Sequence, residues 1–266
     1  MRVARNYKPL SELDVDEIKF SLGCDRQNKT VISMVYGPTC IDIAVVTPAC
    51  VTNWPRCTGD GNFGTMWGPA EVTKAKFSLD LTDQQINMVE NAAFREMANK
   101  LEVIDDKLLD FVHNNQLKVL GRKNLSRDEV KMLQIRSVRQ KYDKVSGSLV
   151  GHNVQLTTPK YHFDGMGGKY PRAMNICDMY GGVLPSGQVA AGDVVAATMF
   201  ANQVYTGVGG DKFGIHWSFE DVQVICQRHK LESKTEVSVF QGGSYDFACQ
   251  YQDPAADAQF PDQVVY

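Results

Sequence analysis

The strongest periodicity in the chain lies between residues 86 and 111. Ile86, Val89, Ala93, Met97, Leu101, Ile104, Leu108 and Phe111 recur at three- and four-residue steps, the spacing of one helical face. Thr82-Asp83-Gln84-Gln85 stands before them in the order of a capping box, in which side chains satisfy the free N–H groups of a first turn. The pattern predicts a long amphipathic helix over about 83–113. Ser126-Arg127-Asp128-Glu129 repeats the capping signal and predicts a second, basic helix to about residue 141. The patterned segments outside this helical stretch are rich in β-forming residues: 29–37, 40–48, 70–81, 153–163, 170–180, 192–205, 211–226 and 235–241. Residues 1–27 read as a polar lead-in. Strands before and after a helical insertion at 83–145 imply an α+β fold. An antiparallel barrel, closed or nearly so, would leave few exposed edges. The expected organisation is a lead-in at 1–27, a β-barrel domain at 28–245 carrying the insertion, and an acidic tail at 246–266.

The apolar phase slips once. Phe213, Ile215, Trp217 and Phe219 alternate with smaller or polar residues, and the alternation then moves by one position to Val222, Val224 and Cys226. The glycine run at 207–210 just before invites a phosphate-loop reading. That loop needs a Lys-Ser/Thr pair and a following helix, whose N-terminus supplies N–H groups. Here the following residues keep a period of two, so the glycines form a hairpin turn. Antiparallel strands are expected at about 193–205 and 211–226, with an irregularity near Glu220. The glycines at 165–168 are read in the same way.

A net charge of −3 argues against a nucleic-acid ligand until its distribution is considered. Between 118 and 144 stand Lys118, Arg122, Lys123, Arg127, Lys131, Arg136, Arg139, Lys141 and Lys144, against Asp128, Glu129 and Asp143. Nothing after Lys234 is basic, and the tail carries Asp246, Asp253, Asp257 and Asp262. The tail is expected to pack poorly and to compete with an acidic ligand for the basic surface, or to dock through Phe260, Val264, Val265 and Tyr266. No apolar run approaches the ~20 residues of a membrane helix. The first residues lack the apolar core of a secretory signal. Seven scattered cysteines without a CxxC pair read as free thiols in a reducing, intracellular compartment. Neither Cys50 with Cys57 nor Cys226 with His229 has a zinc-site spacing. The five histidines sit in no catalytic motif. An enzyme, a metal site and a cofactor are therefore not expected.

The aromatic residues interleave with cations in three places. Trp54, Phe63 and Trp67 surround Arg56 in a Gly-rich segment. Tyr161, Phe163 and Tyr170 accompany Lys160, Lys169 and Arg172. Lys212 and His216 flank Phe213 and precede Trp217. A single strand of nucleic acid needs flat faces for its bases and cations for its phosphates. Core packing is the competing explanation, and it is favoured for Phe213 and Trp217 on the apolar face of a strand. For Trp54, Phe63 and Trp67 the two explanations stand level, and the basic helix serves equally well as a solvated face.

Residues 170–225 resemble the C-terminal half of virus-encoded single-stranded DNA-binding proteins, those of large eukaryotic DNA viruses and their distant phage relatives. The shared positions are Lys169-Tyr170-Pro171, Gly192-Asp193-Val194, Tyr205, Lys212-Phe213-Gly214-Ile215, Trp217 and Val222-Gln223-Val224. Upstream, the stretches from Thr47-Pro48 through Trp54 to Trp67 and from Ala75 to Leu81 resemble a second family region. Two departures stand out: Arg172 replaces a family proline, and the tail is only mildly acidic, though it ends in the aromatic Tyr266. The resemblance implies an OB-fold, a small barrel whose face and loops bind single strands without sequence preference, in viral DNA replication and recombination. It implies single-stranded DNA as partner, replication proteins as candidate partners of the tail, and a viral replication site in host nucleus or cytoplasm. Homo-oligomers are compatible with it. A small barrel bends its strands at bulges, and a bulge moves the inward phase by one, as the slip requires. The rival expectation is a virion structural or scaffold protein using the same barrel for protein contacts.

Overall fold

A computed structural model describes residues 7–24, 30–37, 43–53, 74–81, 88–143, 145–159, 161–163, 168–171, 175–184, 188–201 and 203–228. Met1–Lys230 form one compact unit. The second unit, Leu231–Tyr266, lies outside the described residues, and with it the strand expected at 235–241 and the acidic tail.

The chain opens with β1 (Lys8–Pro9), β2 (Ile18–Cys24) and β3 (Thr30–Tyr36). Then come β4 (Ile43–Val46), β5 (Cys50–Asn53) and β6 (Lys74–Asp80). The insertion holds α1 (Met88–Asn114), α2 (Gln116–Leu120) and α3 (Arg127–Leu133), followed by β7 (Gln134–Ile135) and β8 (Val138–Tyr142). The remaining strands are β9 (Leu149–Pro159), β10 (Tyr161–Phe163), β11 (Lys169–Pro171), β12 (Asn175–Asp178), β13 (Val194–Ala201), β14 (Gln203–Thr206), β15 (Phe213–Ile215) and β16 (Ser218–Cys226).

Five strands form a circuit. β5 pairs antiparallel with β6, and β6 with β9. β16 pairs antiparallel with β13, and β13 returns to β4 and β5. The circuit is closed by one parallel contact, Ser218 opposite Thr157, with the Thr157 N–H donating to the Trp217 carbonyl at 3.0 Å. With β4 and β5 counted as one strand, the order around the ring is first, second, third, fifth, fourth. That is the Greek-key order of a partly open OB-fold barrel, and the chain is α+β as its sequence pattern predicts. The insertion sits between the second and third barrel strands. A second sheet runs β2, β3, β14, β15, β7.

The phase slip is a bulge. Ala197 faces Val222 and Met199 faces Phe219, so Glu220 and Asp221 together oppose Thr198. The Thr198 hydroxyl takes the Asp221 N–H at 2.9 Å, and Tyr7 donates its hydroxyl to the buried Glu220 carboxylate at 2.7 Å. Phe213, Trp217 and Phe219 are buried before the bulge, and Val222 and Val224 after it. The antiparallel pairs β13–β16 and β14–β15 give the expected hairpin, with a turn and no α-helix after Gly210. The first barrel strand bends similarly. Its register on β13 shifts by one between Val46 and Cys50, across Thr47-Pro48-Ala49. Pro48 has no N–H to give. Just before it, the Thr47 N–H donates to the Ala197 carbonyl at 2.9 Å and the Thr47 hydroxyl accepts the Ala197 N–H at 3.0 Å.

Two apolar clusters fill the molecule, and α1 serves both. Its Phe94, Met97, Leu101 and Ile104 join the barrel core with Phe77, Leu79, Val154, Leu156 and Phe219. Its Leu108, Leu109 and Val112 join Ile32, Leu120, Val130, Val204 and Phe213 beneath the second sheet. The described part of the sequence's lead-in contains β1 and β2, and α1 holds it in place. Lys100 Nζ donates to the carbonyls of Leu10, Ser11 and Leu13 at 3.0, 2.6 and 3.1 Å, and Lys107 Nζ to that of Val15 at 2.8 Å.

The second helix departs from expectation. Its capping box forms, with Ser126 and Glu129 exchanging hydrogen bonds, but it ends at Leu133 rather than near 141. Gln134 is extended and begins β7, which pairs parallel with β15. Val138–Tyr142 then pairs antiparallel with β9. Tertiary pairing overrides the helical propensity of a Lys/Arg/Gln-rich segment here. The first capping box, at 82–85, lies outside the described residues.

Candidate nucleic-acid interface

OB-folds bind ligands on the outer face of their second and third strands and on the loops that follow the first and fourth. Here those strands are β6 and β9. Inward residues alternate along both, with Phe77, Leu79, Val154 and Leu156 buried. The intervening positions form cross-strand rows: Lys76 opposite Thr157, Ser78 opposite Gln155, and Asp80 opposite Asn153. β8 widens the face on the other side of β9, placing Arg139 opposite Asn153. The exposed Arg139 guanidinium donates to Gln155 Oε1 at 2.6 Å, and Lys141 meets Asp80 at 2.8 Å. The result is a polar surface with hydroxyl and amide groups at its centre and cations along its β8 margin.

Two described segments border this face, and the strand ends that flank a third stretch, 54–73, belong to it. The connection 54–73 leaves β5 at Asn53 and returns at Lys74, which is paired with Pro159 at the end of β9. It carries Trp54, Arg56, Phe63 and Trp67, all outside the described residues. From the same end of β9 springs the β10–β11 ribbon, with Tyr161 opposite Pro171, His162 opposite Tyr170 and Phe163 opposite Lys169. The register places Tyr161, Phe163 and Lys169 at positions of one ribbon face and Tyr170, with His162, at positions of the other, while Lys160 and Arg172 at its ends lie outside the described residues. The other described segment is the connection between the fourth and fifth barrel strands. Lys212 is exposed in its turn, and His216 is exposed where it rejoins the barrel. His216 Nε2 shares a hydrogen bond with the Thr157 hydroxyl, which ties this connection to the centre of the face.

Trp217 is not part of the surface. It is buried, and its Nε1 donates to Ser137 Oγ at 2.8 Å. Ser137 in turn gives its N–H and hydroxyl to the buried Asp105 carboxylate at 2.7 and 2.8 Å. Burial pushes the Asp105 carboxyl up to about 6, against the lowering effect of the two Ser137 hydrogen bonds. This chain joins α1, the start of β8 and the start of β16, so it sets where β8 runs beside β9. The helix expected to about 141 hid the place of Arg139 beside β9; Gln155 and Thr157 lay in a segment read as strand, where the polar alternation along β6 and β9 was the available signal. Among the described residues no group of three or more His, Cys, Asp or Glu side chains could hold a metal ion. No described helix is long and apolar enough to cross a membrane.

No family model matches the sequence, and no curated protein does. Solved structures do. The chain is similar to gp2.5, a single-stranded DNA-binding protein encoded by bacteriophage T7, at 8% identity and a TM-score of 0.45, over 79% of this chain and 97% of that one. It is also similar to the single-stranded DNA-binding protein of bacteriophage Enc34, at 10% identity and a TM-score of 0.36, over 90% and 98%. The Enc34 protein in complex with single-stranded DNA aligns at 9% identity and a TM-score of 0.34, over 78% and 96%. The OB-fold assignment rests on the strand circuit of this chain.

Proposed function

We propose that the chain binds single-stranded DNA without strong sequence preference, on the outer face of β6 and β9. The observation that carries this reading is that face: polar along its rows, cationic at its β8 margin, and bordered by the β10–β11 ribbon and the Lys212–His216 turn, with the chain ends that flank residues 54–73 at Asn53 and Lys74 on its strands. Two segments, 54–67 and 160–172, carry the aromatic-basic pattern of the sequence into this reading; in the third, 212–217, Phe213 and Trp217 are buried and only Lys212 and His216 are exposed. Trp54, Phe63, Trp67, Tyr161, Phe163 and Tyr170 supply stacking faces, and Arg56, Lys160, Lys169, Arg172 and Lys212 supply phosphate partners. No catalysis is involved; the protein covers exposed single strands during viral replication or recombination. Binding by phosphate neutralisation releases counterions and weakens as salt rises.

Filter binding over a salt series tests this. Single strands are expected to bind more tightly than duplex, with affinity falling steeply from low to moderate salt. Alanine at Tyr161 or Phe163 is expected to cost ~1–3 kcal/mol of single-strand affinity, the usual worth of one stacked base. Equal affinity for duplex, or no binding at about 50 mM salt, overturns the reading.

A further inference from the structure

The connection between the fourth and fifth barrel strands reaches the helical insertion at its far end. Gly210 has φ +69°, and a Cβ there would lie 2.6 Å from the Leu120 Cα. The tip of the turn thus rests on the last residue of α2. Across the turn, the Gly207 N–H donates to the Lys212 carbonyl at 2.7 Å. Helix α2 stops at Gly121, whose φ is +66°. Lys212 therefore lies two residues from the contact on one side, and Arg122 and Lys123 lie two and three residues from it on the other. Consecutive Cα atoms are ~3.8 Å apart, so all three cations sit around one junction.

The described cations of the insertion differ in their partners. Lys107, Arg127, Arg136 and Lys141 are each paired with an aspartate and Lys100 with Glu96. Lys118, Arg122 and Lys123 are exposed, and among the described residues none has an ion-pair partner. The neighbouring acids are mostly engaged: Glu129 closes the capping box and Asp110 holds Arg127. Asp128 and Asp211 are the exposed carboxylates that remain. Cations at a helix C-terminus complement its dipole, which accounts for Lys118 in the last turn but not for two further cations beyond the cap. Lys118 and Lys123 also line an open cleft of about 470 Å3 with His113, Asn114 and Asn124. Cationic and amide donors around an open cleft suit phosphodiester oxygens.

We propose that single-stranded DNA leaving the barrel face follows the Lys212 turn onto this second basic landing, made by Lys118, Arg122 and Lys123 at the end of α2. The proposal rests on the reading of the barrel face as the primary site. The hairpin is the bridge: His216 anchors one end to Thr157 on the face, and Gly210 rests the other on α2. The bound strand is then longer than the barrel alone covers.

The test uses the full chain and two oligothymidylates, one of about 8 nucleotides, within the span of one OB-fold, and one several times longer. The variant is Lys118→Gln/Arg122→Gln/Lys123→Gln, with Lys123→Glu alone as a second, less invasive change and a thermal melt to verify folding. On the longer oligonucleotide the triple variant is expected to lower the salt slope by about 2, at ~0.7 per lost phosphate contact on a single strand. It should also shorten the occluded length. Binding of the short oligonucleotide should be unchanged. Unchanged binding of both by the variants, or equal weakening of both, overturns the second landing while leaving the barrel face intact. Failure of the wild-type chain to bind either oligonucleotide overturns the barrel reading and this one together.

Discussion

Asp105 is a carboxylate among leucines. It falls one residue after Ile104 and three before Leu108 on a helix whose other inward positions are apolar. Its place in the apolar stripe was visible in the sequence; its partners were not, because Ser137 and Trp217 are 32 and 112 positions away. Burial alone was the expectation for Trp217, and the structure adds the hydroxyl that receives its indole N–H. With a folded-state pKa of about 6 against an ordinary value of 3.8, Asp105 holds a proton between about pH 4 and 6 in the folded chain that the unfolded chain has released. Its contribution to stability is therefore full below pH ~4, falls as pH rises to ~6, and is level above that, a loss on the order of 3 kcal/mol. Glu129 and Asp143 are held below the usual carboxylate range by hydrogen bonds, so they act in the opposite direction. Asp105→Asn removes this titrating group. Denaturant unfolding of the wild type and the variant at about pH 4.5 and 7 should show the variant losing less stability between the two. Parallel pH profiles would mean that Asp105 does not titrate in this way.

At the scale of elements, the sequence was most informative where periodicity and register coincide. The slip after Phe219 located a bulge to the residue, because an extra residue in a strand must shift every inward side chain after it. The end of α3 was not legible. Residues 134–142 satisfy helical propensity and strand pairing alike, and the choice is made by pairing with β9, the next strand, and with β15, far away in sequence. Gly214 shows the other side of that choice. A Cβ there would meet the Ile135 carbonyl at 2.4 Å, so β7 lies where only glycine leaves room. Gly214→Ala is expected to push β7 off β15 and to cost about 1–3 kcal/mol, typical of overpacking. Hydrogen exchange should quicken around 134–135 and 213–215 first. A variant with unchanged stability and protection would show that β7 gives way freely.

The whole molecule explains why average charge was a poor guide. The cations of β8 and of the end of α2 lie within the compact unit of Met1–Lys230, whereas the acids at Asp246, Asp253, Asp257 and Asp262 belong to the other unit. A chain with net charge −3 can still present a cationic route to a phosphate backbone. The site was partly legible for the same reason. The aromatic-basic segments are local in sequence, whereas the face between them is assembled from strands 60 or more positions apart, such as β6 and β9.

The sharing of α1 between two cores has a consequence for anyone wishing to trim this protein to its barrel. An inserted segment is ordinarily the first candidate for removal, since the strands on either side of it already pair. Here, joining residue 81 directly to residue 148 would take Phe94, Met97, Leu101 and Ile104 out of the barrel interior and β8 away from the flank of β9. The same cut would strip Leu108, Leu109 and Val112 from the second sheet. Large apolar residues lost from a core cost ~2–5 kcal/mol each, so four from the barrel alone exceed the net stability of most domains. The shortened chain is expected to be insoluble or to lack a cooperative melting transition. A soluble product with a sharp transition would show that the barrel closes unaided. The insertion is then less an ornament on an ancient scaffold than its keel, and a minimal version would have to be sought by redesigning the interior rather than by deletion.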